Sequence, residues 1–240
     1  MNINLDNLKN EYFVIVPVFN EERKVKKVIN SLLSTYPILK IYVIDDGSTD
    51  KTTEIIKEFK HINVIKLFNN INYGKGYSIR LALSKITPEK NKIIFFWDGD
   101  DELDVEDIHK LIYHYENEPN CFILFGSRFL GKNSISKFGL FKVLINYSLT
   151  FLFNIIAGTK LTDMETAVKS FNSSLLRDLK LISDRFEIEP EITFKLAKLN
   201  KINEFPISYK PRTKKEGKKI SMIDGIKTIK TIFWIKKYEK

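Results

Sequence analysis

The strongest chemical signal in the sequence is an acidic turn that follows an apolar run: Asp98-Gly99-Asp100-Asp101-Glu102. Hard divalent cations take oxygen ligands, and Mg²⁺ usually combines one or two carboxylates with substrate phosphates. Asp98 and Asp100 are one residue apart, so in an extended turn their carboxylates point to the same side, and Gly99 lets a ligand approach the backbone. The alternative is a solvated loop that caps the next helix. Because uncompensated acids repel one another, we favour a site for Mg²⁺ or Mn²⁺ beside a diphosphate.

A second acidic turn, Asp45-Asp46-Gly47-Ser48, follows the short apolar run Ile41–Ile44. A carboxylate placed after a strand can accept hydrogen bonds from ribose hydroxyls or from a base N–H group. The alternative is a turn with a helix cap, because Ser48, Thr49 and Asp50 all suit the start of a helix. The residues by themselves leave these two interpretations open.

A third turn, Pro17-Val18-Phe19-Asn20-Glu21, closes the first apolar run of the chain. The Phe19 ring is suited to stacking on a nucleotide base, and Glu21 can accept a hydrogen bond from the nucleotide. The alternative is a strand exit with a rigid proline, followed by the start of a helix. Taken alone, this turn does not decide between the two.

The elements around these turns follow a strand–helix alternation in the first half of the chain. Short β-branched runs predict strands, and apolar residues at helical spacing predict helices between them. Repeated strand–helix units predict an α/β fold with a mainly parallel central sheet and helices on both faces, and ligands in such sheets bind beyond the carboxyl ends of the strands. The predicted strands are Tyr12–Pro17, Ile41–Ile44, Asn63–Leu67, Lys92–Trp97, near Phe122–Phe125 and near Ile202–Tyr209. The predicted helices are Glu21–Thr35, Thr52–Phe59, Tyr77–Leu83, Asp104–Tyr115, Val143–Thr159 and Glu189–Leu199.

Length, charge and cysteine content narrow the class of protein. A chain of 240 residues is long enough for one large domain with a buried core. Its 39 Lys and Arg against 30 Asp and Glu give a formal charge of +9, which attracts nucleotides, nucleic acids or anionic membranes. Cys121 is the only cysteine, so no intrachain disulfide argues for secretion. Residues 1–11 lack the apolar core of a signal peptide, so we expect a cytoplasmic protein.

Two segments bear on contact with a membrane. The uncharged segment Val143–Thr159 is short for a bilayer span and contains polar residues, so we predict a helix that lies against protein or in a membrane interface. Residues 221–240 place isoleucines on one helical face with lysines around them, the pattern of a basic amphipathic helix. We expect a domain over residues 1–220, and a C-terminal helix that belongs to it or contacts a membrane surface. A membrane-protein partner at the cytoplasmic face is the other expectation.

Eight segments of the chain carry a family resemblance: VPVFNE (Val16–Glu21), IDDGSTDKT (Ile44–Thr52), NYGKGYSIRLAL (Asn72–Leu83), WDGDDELDVEDI (Trp97–Ile108), GSRF (Gly126–Phe129), TDMETAVKSF (Thr162–Phe171), FEIEPEITFKLAK (Phe186–Lys198) and PRTKKEGKKI (Pro211–Ile220). In order and spacing they resemble the family 2 glycosyltransferases, and within these the dolichyl-phosphate (polyprenyl-phosphate) mannose or glucose synthases and their bacterial relatives. The resemblance implies the GT-A nucleotide-diphospho-sugar transferase fold. It also implies an inverting, metal-dependent transfer of a sugar from a GDP- or UDP-linked donor to an acceptor, polyprenyl phosphate in these synthases.

The resemblance also assigns roles on the donor side of the site. The family's acid-x-acid motif falls on Asp98, Gly99 and Asp100, with Asp100 on the metal. Glu102 falls where the synthases usually have Gln as a second metal ligand, and a carboxylate there can still bind the ion. The nucleoside-binding positions of the family fall on Pro17, Phe19, Glu21, Ile44 and Asp46.

Three basic residues also fall on donor-binding positions, and the first of them, Arg128, matches an arginine that contacts phosphate or sugar. Arg212 and Lys218 match basic residues of a flexible loop that closes on the diphosphate, and a mobile cationic segment suits a leaving diphosphate on physical grounds. Asp163 matches an acid near the acceptor. The residues leave open whether Asp163 is the catalytic base or an acid that orients another group.

Three other functions are considered for this chain. The nearest is a transferase of the same fold that acts on a growing glycan or on a protein, and a polar groove in place of an exposed apolar surface at residues 143–157 would favour it. A sugar nucleotidyltransferase is more distant, because its N-terminal glycine-rich loop is missing. The third is a non-catalytic protein that binds phosphate or nucleic acid. It would need basic and aromatic residues interleaved on one surface, and the acidic turns argue against it, so we expect no nucleic-acid partner.

Overall fold

A computed structural model describes residues 8–130, 140–210 and 229–234 of the chain. In that part, one seven-stranded sheet forms the centre of the protein, with strand order β3-β2-β1-β4-β6-β5-β7. Six strands are parallel and β6 is antiparallel to both of its neighbours. The strands are β1 (Glu11–Val18), β2 (Lys40–Asp45), β3 (Val64–Phe68), β4 (Lys92–Phe96), β5 (Ile123–Ser127), β6 (Lys169–Asn172) and β7 (Ile202–Pro206).

Helices cover both faces of the sheet, as the sequence predicts. Alternate residues of β1 point to opposite faces: Val14 and Val16 pack with the helices of one layer, and Phe13 and Ile15 with those of the other. The first layer holds α1 (Val25–Thr35), α2 (Thr52–Glu58) and α4 (Asp107–Asn117). The second layer holds α3 (Lys75–Leu83) and α6 (Ile188–Leu199).

Two local departures from the predicted elements have clear physical causes. Helix α1 begins at Val25 rather than at Glu21, because Asn20 adopts a positive φ of 52° and a turn follows it. Strand β6 and the 3₁₀ helix Ser173–Arg177 were not predicted. Strand β6 is four residues long, and its buried positions include Lys169 and Ser170, so it lacks the apolar pattern that identifies a strand.

Helix α5 (Leu140–Ala157) covers the segment that the sequence marks as uncharged from residue 143. Leu149 and Phe153 on α5 pack in one cluster with Phe194 and with Ile232 of the helical residues 229–234. This part of the C-terminal helix therefore contacts the domain, whereas residues 221–228 and 235–240 lie outside the described residues. Within the described residues, no helix is long and apolar enough to cross a membrane.

Candidate active site

A cavity of about 430 Å³ lies at the carboxyl ends of β1, β2 and β4. Parallel α/β sheets bind their ligands at this edge, and the three turns singled out in the sequence meet there. The cavity is lined by Pro17, Val18, Phe19, Glu21, Asp46, Asn72, Gly74, Lys75, Asp98, Gly99, Asp100, Glu102, Arg185 and Phe186. The sequence-predicted donor and metal residues of the described chain are thus brought together, with Ile44 and Arg128 as the exceptions.

The carboxylates of the acidic turn after β4 point in two directions, three into the cavity and one toward α1. Asp98, Asp100 and Glu102 line the cavity, as the sequence predicts for Asp98 and Asp100. Asp101 adopts a positive φ of 62° and its carboxylate lies 2.6 Å from the ammonium group of Lys27 on α1. The positive φ at Asp101 lets the two acids on either side of it face the same cavity.

Gly99 has a packing role in this turn. A Cβ atom at position 99 would lie 2.3 Å from Cγ1 of Val18, far inside van der Waals contact. The glycine therefore allows the acidic turn to sit directly on the end of β1. This close approach places Asp98 and Asp100 next to the first turn of the site.

The donor set of this turn fits a divalent cation. Asp100 and Glu102 offer carboxylate oxygens, the ligands that Mg²⁺ and Mn²⁺ prefer. Among the described residues there is no group of three or more His, Cys, Asp or Glu side chains that would enclose an ion. Two protein carboxylates leave coordination positions for the oxygens of a diphosphate and for water, which is how Mg²⁺ is usually held in nucleotide sites.

Glu102 is held in place by residues that follow β7, the edge strand of the sheet. The Tyr209 hydroxyl donates a hydrogen bond to Glu102 Oε2, and the backbone N–H of Lys210 donates to the Glu102 carbonyl at 2.8 Å. Burial, and then the hydrogen bond to Glu102, raises the pKa of Tyr209 well above its ordinary value. The tyrosine therefore stays a hydrogen-bond donor and orients the carboxylate.

The carboxylate of Asp46 organises the loop after β3. Its Oδ1 accepts hydrogen bonds from the Asn69 side chain at 2.8 Å and from the Ser78 hydroxyl at 3.1 Å, and its Oδ2 accepts from the Gly74 N–H at 2.8 Å. Asp46 therefore ties the end of β2 to the start of α3 while it lines the cavity. A carboxylate has about four lone-pair sites, so Oδ2 retains acceptor capacity for a ligand.

The turn after β1 is joined to the turn after β2. The Asn20 N–H donates to the Ser48 hydroxyl at 2.9 Å, and the Glu21 N–H donates to Thr52 Oγ1 at 2.8 Å. Side chains of the second turn and of the start of α2 therefore position the turn that carries Phe19. The predicted side-chain helix cap is not formed, because Lys51 is the N-cap of α2 and makes no side-chain cap hydrogen bond.

A buried ion network, which the sequence reasoning missed, forms one wall of the site. The Lys75 ammonium lies 2.8 Å from Asp98 Oδ1 and 2.8 Å from Glu189 Oε1, and Glu189 Oε2 accepts a hydrogen bond from Lys169. Burial opposes the charge on Glu189, but Lys169 and Lys75 outweigh it and lower the pKa of Glu189 to about 2. Asp98 and Glu189 likewise raise the pKa of Lys75 against its burial. The glycine-rich segment Asn72–Gly76, which includes Lys75, was the available sequence signal.

Arg185 and Phe186 complete the lining of the cavity. Gly74 has a φ of +111°, and a Cβ atom there would lie 2.5 Å from the carbonyl oxygen of Asp184. The Tyr77 N–H also donates to that carbonyl, at 2.9 Å. This close packing presents Arg185 and Phe186 at the cavity, and no local pattern in the sequence identified them.

Arg128 and Asp163 form a buried pair away from the cavity lining. The guanidinium donates to Asp163 Oδ2 through Nε at 2.6 Å and to Oδ1 through Nη2 at 2.7 Å, and the Arg128 backbone N–H also donates to Oδ2 at 3.0 Å. Both oxygens of the fully buried Asp163 are therefore engaged. Of the two roles left open for Asp163, this geometry favours an acid that orients Arg128 over a free base.

Of the remaining predicted contacts, Ile44 lies apart from the cavity lining, and two are outside the described residues. Ile44 is fully buried in the core of the second helix layer, so its side chain supports the fold. Ile44 is paired with Pro17 of β1, so it lies next to the site although its side chain points into the core. Arg212 and Lys218 lie outside the described residues, and their role remains a proposal.

Comparisons with known proteins identify a family and relatives that match most of the chain. The model of glycosyl transferase family 2 matches residues 13–178. Uncharacterized protein MJ1222 of Methanocaldococcus jannaschii is 32% identical over 209 residues, which cover 83% of this chain and 81% of the relative. The UDP-N-acetylglucosamine–dolichyl-phosphate N-acetylglucosaminyltransferase of Methanococcus voltae is 29% identical over 213 residues, covering 81% of this chain and 84% of the relative.

Solved structures show the same fold. Glucosyl-3-phosphoglycerate synthase from Mycobacterium tuberculosis in complex with UDP superposes with a TM-score of 0.74 at 16% identity, over 99% of this chain and 86% of the other. The complex of that enzyme with Mn²⁺, UDP and glucosyl-3-phosphoglycerate gives a TM-score of 0.68 at 15% identity, over 98% of this chain and 84% of the other. The predicted GT-A fold is thereby confirmed. Because the family model runs from β1 through the acidic turns to the end of the 3₁₀ helix, the chain belongs to glycosyl transferase family 2.

Proposed function

We propose that this glycosyltransferase transfers a sugar from a UDP-linked donor to a polyprenyl phosphate, with inversion at the anomeric carbon and with Mg²⁺ or Mn²⁺. The main support for a nucleotide-sugar donor is that two groups of residues line the same cavity. The acidic residues Asp98, Asp100 and Glu102 share it with Phe19, Glu21 and Asp46. A nucleotide base and ribose would lie against the turns after β1 and β2. The diphosphate would lie at the turn after β4.

The residues of the chain have distinct tasks in the proposed reaction. Arg185 supplies positive charge at the cavity where the diphosphate would lie, and Lys75 holds Asp98 in place there. A divalent cation held by Asp100 and Glu102 would neutralise the charge that develops on the departing nucleoside diphosphate. An acceptor phosphate oxygen forms the new bond to the anomeric carbon as the bond to the diphosphate breaks on the opposite face. This nucleophile is already ionised, so the reaction needs no free base, in agreement with the engaged carboxylate of Asp163.

The surface of α5 supports a lipid acceptor. Leu144, Phe151 and Ile155 are 64%, 68% and 64% exposed, and their spacing places them on one side of the helix. Tyr147 on the same stripe packs against Phe129, with ring centroids 4.9 Å apart, and Phe129 directly follows Arg128. An apolar surface therefore adjoins the buried Arg128–Asp163 pair, and its exposed side chains suit the hydrocarbon chain of a lipid.

The same stripe supports a peripheral position on an anionic membrane. Phe233 and Trp234 of residues 229–234 are also exposed, while Ile232 packs beside α5. Residues 227–240 contain five lysines and one glutamate. A lysine-rich segment that also carries apolar side chains binds best to a surface of anionic lipids. We propose that α5 and the helical residues 229–234 face such a membrane, where a polyprenyl phosphate would be presented.

Calorimetry with purified protein tests the donor assignment. UDP- and GDP-linked sugars are titrated with and without Mn²⁺, and the titration is repeated with Asp100→Asn. We expect one UDP-linked donor to bind in a metal-dependent way, and its affinity to fall about 100-fold in the variant, the upper range for a lost metal contact. Asp101→Asn is the matched control, because Asp101 pairs with Lys27 and asparagine tolerates a positive φ. If no donor binds under any metal condition, the proposed function is wrong.

A further inference from the structure

Glu165 is a carboxyl group inside the molecule that the proposed reaction has not used. It lies between Asp163 and β6, and its side chain is partly exposed as a whole. Its Oε1 atom is buried, and no group of the described chain makes a hydrogen bond to it. A buried polar atom without a partner costs free energy, so such an atom next to a functional site calls for an explanation.

The cations around Glu165 are already paired with other carboxylates. Arg128 holds Asp163 through two guanidinium nitrogens, and Lys169 holds Glu189. An ionised carboxylate at position 165 would therefore add one uncompensated negative charge to a buried network, which is costly. The network favours the protonated, uncharged form of Glu165.

The residues around Glu165 contact α5 on one side and connect to the donor cavity on the other. Its neighbour Met164 donates its backbone N–H to Thr150 Oγ1 of α5 at 3.2 Å and packs with Phe153. On the other side, Glu189 connects the network to Lys75 at the wall of the donor cavity. An acceptor that extends from the apolar stripe of α5 toward the donor sugar would pass this region.

We propose that Glu165 is an acceptor-binding residue that carries a proton, which it donates in a hydrogen bond to an anionic oxygen of the acceptor phosphate. This inference rests on the proposed function and identifies the group that recognises its acceptor. The uncharged carboxyl offers the phosphate a hydrogen-bond donor without adding repulsion, beside an Arg128 that is already paired with Asp163. An ionised glutamate in the same place would repel the phosphate, so the protonation state of Glu165 governs acceptor affinity.

The electrostatic surroundings agree with this assignment. Burial raises the pKa of Glu165 to about 7; Lys169 and Arg128 oppose the rise, and Glu189 and Asp163 add to it. These four groups come from β6, from the end of β5, from α6 and from the loop of Glu165 itself. The acid therefore changes charge near neutral pH, where its effect on binding can be measured.

The inference is tested by measuring how tightly the full chain binds a short-chain polyprenyl monophosphate. The measurements run from about pH 6 to about pH 8.5, on either side of the pKa of Glu165. We expect the affinity of the wild-type protein to fall about tenfold per pH unit above about pH 7, because only the protonated form binds. Glu165→Gln keeps an N–H donor and removes the titration, so its affinity should lack this fall. The titration of the phosphate itself is present in both proteins and cancels in the comparison. Glu165→Ala should bind weakly at every pH.

Three results would overturn the inference. The first is a parallel pH dependence in the wild-type protein and in Glu165→Gln. The second is Glu165→Ala binding as tightly as wild type at pH 6. The third is the behaviour of a catalytic base: a turnover that rises with pH toward about 7 and is lost in Glu165→Gln while acceptor affinity is unchanged. Donor calorimetry on the same variants separates the two proposals, because metal-dependent donor binding would persist if only the assignment of Glu165 were wrong.

Discussion

The ammonium group of Lys75 lies 2.8 Å from a carboxylate oxygen of Glu189, although 113 residues separate them in the chain. Lys75 begins α3 beside the donor cavity, and Glu189 lies in the first turn of α6. The same ammonium group also lies 2.8 Å from Asp98 at the end of β4. One buried lysine therefore fixes the acidic turn relative to the second half of the domain.

Replacing Lys75 with methionine should destabilise the protein strongly. The change leaves Asp98 without its ammonium partner and leaves Glu189 with Lys169 alone, and breaking a buried ion pair from one side costs about 3 kcal/mol or more. Urea unfolding monitored by circular dichroism measures the effect. Lys26→Met is the matched control, because Lys26 and Glu58 form an exposed pair at 3.7 Å, for which we expect about 0.5 kcal/mol or less. Similar losses in both variants would contradict the structural role of Lys75.

The Gly74→Ala variant should lose both stability and donor affinity. A Cβ atom at this position clashes with the Asp184 carbonyl, and its φ of +111° is unfavourable for alanine. Gly158→Ala separates the two effects, since Gly158 has a φ of +67° but no atom within 4 Å of a built Cβ. We expect the control to lose about 1–2 kcal/mol and to keep its donor affinity. Gly74→Ala should lose more stability than this and bind donor more weakly, because residues 184–186 must shift. Equal effects would show that the close packing is unimportant.

The exposed stripe of α5 should control binding to membranes. Phe151→Ser should weaken binding to vesicles that contain anionic phospholipid by about tenfold, since a large apolar side chain contributes about 1.5–3 kcal/mol when it is buried. Ile62→Ser is the control, because Ile62 is 91% exposed on the connection that precedes β3. Sedimentation with vesicles measures both. If both variants bind like the wild-type protein, or if the wild-type protein does not bind, the proposed membrane face is wrong.

The free energy of unfolding should depend on pH through the protonation of Glu165. Its pKa is about 7 in the folded protein against an ordinary 4.5. Between these values the folded state holds a proton that the unfolded state has lost, so the free energy of unfolding falls as pH rises. Glu165→Gln should remove this component and gain about 1–3 kcal/mol relative to wild type between pH 4.5 and pH 8. Denaturant titrations across this range measure the difference, and a pH-independent difference between the two proteins would contradict it.

Much of the fold and of the donor site follows from local sequence patterns. The apolar runs of β1, β2 and β4 identify strands that lie in a buried sheet, and the strand–helix alternation makes most of that sheet parallel. In a parallel sheet the turns after these strands must meet at one edge. The sequence alone therefore predicts that Asp46 and Asp98 lie in one site. Alternation along the extended turn likewise placed Asp100 on the same side as Asp98. These conclusions need only the period of a strand and the chemistry of turns.

The partners of the buried charges were decided by the tertiary structure. The sequence left open whether Asp163 is a base, and the answer depends on Arg128, which reaches it from the end of another strand. The sequence also did not predict β6, because a lysine is not expected in a buried strand. Lys169 is buried there with Glu189 as its partner. Charge pairing and burial depend on which distant side chain arrives at a given point in space. A local pattern describes the segment that contains a residue, whereas its ionisation and its role depend on neighbours that only the folded chain brings close.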